Sequence, residues 1–503
     1  VRASRAIVFG ILASALCACG REPAPEPEES SAVLMRVAAD PTISVSLGFA
    51  VGSQNDPAGK EGLAFLTGQM IVDAATQNNT LDEILEKLYP LAAGYDVRVD
   101  RERTTLTGRT HRDNAAAYLA LFTDAFLRPA FLESDFERVK SDAINEIENT
   151  LRYSSDEELA KALLFKSAFQ NTPYAHPPEG TAAGLRAVTL DDVRNFYRQH
   201  YTQANALLGV GGGFDDAFVA SLQGSLQQLP EGSRAPAPPI TPEPLEGIQV
   251  SIIDKPRSDA SISFGFPLDV HRGERDFYAL WIANSWLGEH RSQASHLFQV
   301  IREIRGLNYG DYSYIEAYPE GGQRNMPPVN VPRRRQLFEV WIRTLPNEHA
   351  HFALRAAMRE IKLLVDEGMT QEEFELTRTF LKKYVLHFAD TTSMKLGYAV
   401  DDKFYGLGDE GHLQRFRRMM DELTLEDVNA AIKKHLQYEN MQIAIVSGDA
   451  AALTQALVED LPSPMTYETP KPPEVLDEDR EIAALPLAID DVVTIPIADA
   501  FEN

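Results

Sequence analysis

The sequence predicts an α+β protein in which one unit is written twice: two duplicated domains, each a largely antiparallel sheet packed with helices, arranged as a clamshell. Three observations carry this expectation. The word Thr189-Leu190-Asp191-Asp192-Val193 recurs as Thr424-Leu425-Glu426-Asp427-Val428, and a His stands eleven positions after each Thr, at His200 and His435. A segment rich in Pro, Leu229 to Gly247, divides the chain near its middle. Helical and strand periodicities mix without the regular alternation of a parallel βαβ sheet.

Each half is expected to run in the same order. An alternating strand, Ile43 to Phe49, has its echo in Ser261 to Phe266. An amphipathic helix and a further strand follow, then long helices. One of these spans 134–151, with an apolar stripe of Phe136, Val139, Ala143, Ile147 and Leu151. Its Asp135-Phe136-Glu137 is echoed by Glu373-Phe374-Glu375. The unit closes with a Thr-capped helix leading into a short apolar strand: Thr189 to Tyr201 then Ala206 to Val210, and Thr424 to Leu436 then Met441 to Val446. These signals bound an N-terminal domain at 33–228, a linker at 229–247 and a C-terminal domain at 248–461. The remainder, 462–503, is acidic and rich in Pro, yet its alternating stretch from Asp491 to Ala498 predicts an edge strand or a docked arm.

Charge and leader set the expected compartment. The 503 residues carry 48 Lys and Arg against 74 Asp and Glu, a net charge of -26, so no basic surplus exists to neutralise phosphates and nucleic acid is excluded as a partner. The chain opens with Arg2 and Arg5 before an apolar run from Ala6 to Ala18 that is too short to span a bilayer, which reads as a secretory signal over residues 1–18. Its end, Leu16-Cys17-Ala18-Cys19-Gly20, resembles a bacterial lipobox and implies lipidation of Cys19. Residues 19–32 then form an acidic, Pro-bearing tether. With Gly20 after the cysteine, the expected location is the cell envelope, on the outer membrane and facing the periplasm.

The chemistry turns on one short word. The segment Pro57-Ala58-Gly59-Lys60-Glu61-Gly62-Leu63-Ala64, followed by Phe65-Leu66-Thr67-Gly68-Gln69-Met70, resembles the entrance and motif helix of the insulinase/pitrilysin family of zinc metallopeptidases, the inverzincins. In that family H-x-x-E-H places two His on one helical face to bind zinc and a Glu to polarise water. By the resemblance Phe65 and Gln69 occupy the His positions and Gly68 the general-base position, so no catalytic residue is expected. The family's third ligand is a Glu on a later helix, and with 76 residues between Gln69 and the match it falls on Glu146. One carboxylate does not make a zinc site, so no metal is expected in this chain. The second half holds Arg305-Gly306-Leu307-Asn308-Tyr309, which resembles the family's R-x-x-x-Y segment and implies substrate contacts from Arg305 and Tyr309. The run Arg333-Arg334-Arg335 is expected to be solvated.

Two functions are therefore expected from the sequence. The first is a catalytically silent insulinase-family subunit that contributes peptide binding to an H-x-x-E-H-bearing partner, with zinc in that partner chain. The alternative is a lipoprotein clamshell that binds extended peptides or unfolded proteins alone. A scaffold role ranks third, and an active solitary peptidase last.

Overall fold

The computed structural model describes residues 32–234 and 236–503. The expectations for the signal, for Cys19 and for most of the tether lie outside the described residues. Among the described residues eleven strands form two sheets. The first contains β1 (Val33–Arg36), β2 (Thr42–Phe49), β3 (Gly94–Val99), β4 (Thr104–His111) and β5 (Ala206–Gly212), in the order β1-β5-β2-β4-β3. The second contains β6 (Ile248–Asp254), β7 (Ala260–Leu268), β8 (Asp311–Tyr314), β9 (Gln336–Leu345), β10 (Met441–Ser447) and β11 (Ile489–Pro496), in the order β11-β6-β10-β7-β9-β8. Without β11 the second order repeats the first strand for strand. Only the outer pairs, β1 with β5 and β6 with its two neighbours, run parallel; the rest are antiparallel.

The repeated words fold alike because their chemistry is local. Thr189 and Thr424 begin helices Leu190–His200 and Leu425–His435 with reciprocal caps. Asp192 and Asp427 donate their amides to the Thr hydroxyls at 3.2 Å, and their carboxylates accept from the Thr amides at 2.9 and 3.0 Å. Phe136 and Phe374, from the second pair of echoes, are both buried on helices Glu133–Asn145 and Gln371–Tyr384.

The halves are bound by an exchange of equivalent helices. Helix Asp156–Ala168 of the first half packs on β7, β9 and β10, while its counterpart Thr392–Phe404 of the second packs on β1, β2 and β5. Gly209 and Gly211 permit the latter approach, since a Cβ there would lie 2.8 Å from Val400 and 3.1 Å from Thr392. Each sheet thus has its own helices on one face and a helix of the other half on its opposite face. The core follows the same rule: Ala444 and Val446 of β10 belong to the cluster formed by the first domain.

The segment assigned as a linker is fastened down. Gln203 and Ala204 donate to Pro230 and Glu231 carbonyls at 2.9 and 3.1 Å, and Leu229 and Ile240 are buried. Beyond residue 461 the arm forms helix Pro473–Ala483 and then β11, the edge strand beside β6. Its last residues cross to the first domain, where Phe501 is buried. No helix among the described residues is long and apolar enough to cross a membrane.

Candidate functional site

The helix Leu63–Val72 carries the degenerate motif and is held at its start by a buried carboxylate. Asp56 accepts from the amides of Gly62 and Ala64, both at 2.7 Å, and so fixes the turn in which Gly62 has φ of +107°. Burial pushes the Asp56 carboxyl up to about 8, against the pull of those two amides. His176, in the turn that follows Tyr174, lies 3.8 Å from Asp56, and burial lowers its pKa.

The motif positions do not fit zinc. Phe65 is partly buried and packs against the first core. Gly68 faces the edge strand β3, where a Cβ would stand 2.7 Å from Val99 and 3.3 Å from Val97. A carboxylate side chain at that position has no room without moving two stiff, branched residues. Gln69 is partly exposed and offers a weak amide donor set. Glu146 begins a π-helical turn, Glu146–Leu151, that continues helix Glu133–Asn145, and this helix packs on Leu63–Val72. The retained ligand position thus opens the turn that follows the helix packed on the motif helix, with the Glu179 carboxylate as an electrostatic neighbour. Among the described residues no group of three or more His, Cys, Asp or Glu is placed to hold a metal ion.

The second half departs from the expectation at Arg305. Its side chain is fully buried and all its bonds are internal: Nε donates to Asp479 at 2.8 Å, Nη2 to Glu478 at 2.6 Å and Nη1 to the Val300 carbonyl at 2.8 Å. Burial opposes the charge, but the two carboxylates outweigh it and hold the guanidinium above its ordinary value. Both carboxylates belong to the arm helix, and Tyr467 and Lys471 of the same arm close over Asp479 and the Ile304 carbonyl. Arg305 is thus the socket in which the arm is seated, and it presents no donor to a substrate here. Tyr309 lies four residues on and is 78% exposed. The pair expected to act together is split between interior and surface.

The run Arg333-Arg334-Arg335 is not freely solvated as expected: Arg333 is buried, and Arg334 and Arg335 are partly exposed but ion-paired. The β3–β4 turn, Asp100-Arg101-Glu102-Arg103, inserts into it from the other domain. Arg333 meets Asp100 at 2.9 and 3.2 Å with both side chains buried, and Arg334 meets Glu102 at 2.9 Å. Arg103 pairs with Asp401, which also accepts from the Asn330 amide. Arg333 holds the Asp100 carboxyl below its ordinary range although burial pushes it upward. Sequence reading missed Asp100, Glu102 and Asp401. The signal available was the alternation of acid and base in one four-residue turn, complementary to the triple Arg.

Two further cavities have no motif position in their walls. A cavity of about 30 Å³ lined by Trp281, Asn284, Glu289, His290 and Tyr318 has room for a water molecule, not a peptide side chain. Burial raises Glu289 to about 7 and lowers His290 to about 4 there. A broad groove of about 850 Å³ on the first domain is lined by Asn78, Lys87, Leu121 and Gln228, with none of the motif positions in its walls.

With this geometry in place, the comparisons give the lineage. Residues 32–182 match the family described as Insulinase (Peptidase family M16), and residues 187–381 match the Peptidase M16 inactive domain. The chain belongs to the insulinase family, and its motif helix is a degenerate version of the family's. It is similar to the Uncharacterized zinc protease YmxG of Bacillus subtilis, 23% identical over 81% of this chain and 94% of the relative. It is also similar to a protein of Helicobacter pylori named Non-peptidase homolog YmxG, 22% identical over 80% and 88% of the two chains. The crystal structure of a peptidase M16 inactive domain from Pseudomonas fluorescens shares the fold, with a TM-score of 0.72 at 22% identity, covering 83% of this chain and 97% of that one.

Proposed function

We propose that this protein is a catalytically silent insulinase-family subunit of an envelope peptidase, tethered by a lipid at Cys19 and working beside a homologue that carries H-x-x-E-H and zinc. The observation that carries the silent part is the motif helix itself: Phe65, Gly68 and Gln69 remove the Lewis acid and the base together, while the surrounding scaffold is kept. The silent reading is supported by the relative named Non-peptidase homolog, although another relative is named Uncharacterized zinc protease. In this reading exposed Tyr309 is the candidate peptide contact, and Arg305 serves the arm. The stand-alone clamshell loses support, because a peptide between the two domains would have to displace exchanged helices and buried ion pairs.

Affinity capture of the mature chain from its own envelope in mild detergent, followed by native mass measurement, tests the partner. Recovery of an H-x-x-E-H homologue at one-to-one stoichiometry is expected; recovery of the chain alone would sink the split peptidase. Chelator-sensitive peptide cleavage by the purified, unaltered chain would overturn the silent reading.

A further inference from the structure

The last residues of the arm lie on the first domain as a bound peptide would. Each carbonyl from Ala500 to Asn503 accepts a hydrogen bond from that domain. Arg152 Nε donates to Ala500 at 2.8 Å, the Ala182 amide to Phe501 at 3.0 Å, the Ala183 amide to Glu502 at 2.8 Å and Lys166 Nζ to Asn503 at 2.6 Å. These contacts read backbone, not sequence. Side chains supply the selectivity. Phe501 is 2% exposed within the first core, with Lys166 Nζ 5.4 Å from its ring centroid. The Glu502 carboxylate is forked between Arg186 at 2.5 Å and Arg152 at 3.2 Å, and these arginines hold it below its ordinary range. Phe501 has φ of +55°, a left-handed conformation that a non-Gly residue keeps only where its surroundings impose it.

We propose that Arg152, Lys166, Ala182, Ala183 and Arg186 form a peptide-binding site whose ligand class is an extended segment with an aromatic residue followed by an acidic one. The chain's own 497–503 is the resident occupant, and the site opens to another segment of that pattern when the arm leaves. Its position connects it to the motif helix: Arg152 lies six residues beyond Glu146 on the same continuous helix, and Thr181 donates its amide to the Glu61 carbonyl at 3.4 Å, just before Leu63. Of the two Glu502 ion pairs, the one with Arg186 is exposed and screened by salt, whereas Arg152 is buried. The site stands whether or not the chain is a silent subunit.

The test uses a fluorescently labelled peptide with the sequence of residues 495–503 and a chain ending at Pro496. Saturable binding with a dissociation constant of about 1–100 μM is expected. Replacing the peptide's Phe501 and Glu502 by Ala, or Arg152 of the chain by Ala, should each weaken binding about tenfold or more. The full chain should bind more weakly by the ratio of effective concentration to dissociation constant, about 10- to 1,000-fold, because its own segment is present at an effective concentration near the millimolar range. No saturable binding to a shortened chain that melts within a few degrees of the full one overturns the proposal. So does equal binding by the doubly substituted peptide. If the shortened chain does not fold, the full chain with F501A and E502A takes its place under the same two criteria.

Discussion

In the first half the strands run β1-β5-β2-β4-β3, and in the second β6-β10-β7-β9-β8 repeats that order with β11 laid outside β6. The two halves share caps, core phenylalanines and connectivity, so they differ in surfaces and edges. The first seats its foreign helix on glycines, Gly209 and Gly211. The second seats its foreign helix partly on charge, with Lys161 Nζ 3.6 Å from Glu339 and both side chains buried. Both halves leave the equivalent strands β3 and β8 as edges, but the first also ends at β1, whereas in the second the equivalent strand β6 is covered by the arm strand β11. Duplication has kept the parts that determine the backbone and altered the parts that determine what each sheet meets.

Paired substitutions would break or sharpen this contrast. If the halves are energetic equivalents, Phe136→Ala and Phe374→Ala should each destabilise the protein by about 3–5 kcal/mol in denaturant unfolding. A difference of more than about 2 kcal/mol between them would show that one core carries more of the fold. Asp401→Ala removes the carboxylate partner of buried Arg103 across the shared boundary, while Arg272 keeps Glu316, and a loss of about 3–5 kcal/mol is expected, with both halves melting earlier. Loss confined to the second half would deny the coupling. Gly68→Glu should cost about 1–3 kcal/mol through its contact with Val99 and Val97, and the combined Phe65→His, Gly68→Glu, Gln69→His chain should gain no tight zinc binding by calorimetry. Thr189→Ala and Thr424→Ala remove equivalent caps and should each cost about 1 kcal/mol.

The smallest effect is expected from acid. Asp100 has a folded pKa below its unfolded value, so its contribution is present above about pH 4 and is lost as pH falls through the lower folded value. Unfolding midpoints followed from pH 6 to pH 3 should fall less steeply in Arg333→Ala than in the unaltered chain. Parallel curves would mean that the clasp does not set the acid limit.

Much of this architecture was legible in the sequence because it is written locally. Thr-x-x-Asp words fix helix starts through bonds within four residues, and the alternation from Ile43 to Phe49 marks a sheet face by itself. The lost motif was legible too, since Phe65, Gly68 and Gln69 are read directly by residue type. What escaped was partnership across distance. Arg305 suits a substrate carboxylate and an internal one equally, and only the fold shows Glu478 and Asp479 of the arm closing on it. Arg333 and Arg334 likewise look solvated until Asp100 and Glu102, more than 200 residues earlier in the chain, are brought against them. Helix exchange leaves no periodic mark, because a helix that covers a neighbour's sheet has the same apolar stripe as one that covers its own.

That exchange has a consequence for the order of events during synthesis. The first sheet is complete in sequence at Gly212, but the helix that covers its second face begins only at Thr392. At ribosomal speeds of about 5–20 residues per second, the intervening stretch of roughly 180 residues takes on the order of ten seconds to half a minute to emerge. Throughout that interval Gly209 and Gly211 have nothing to receive, and the nascent first half exposes a sheet face with no cover of its own. The second face of the first sheet therefore cannot be covered before Thr392–Phe404 is available, however far the N-terminal half has folded by then.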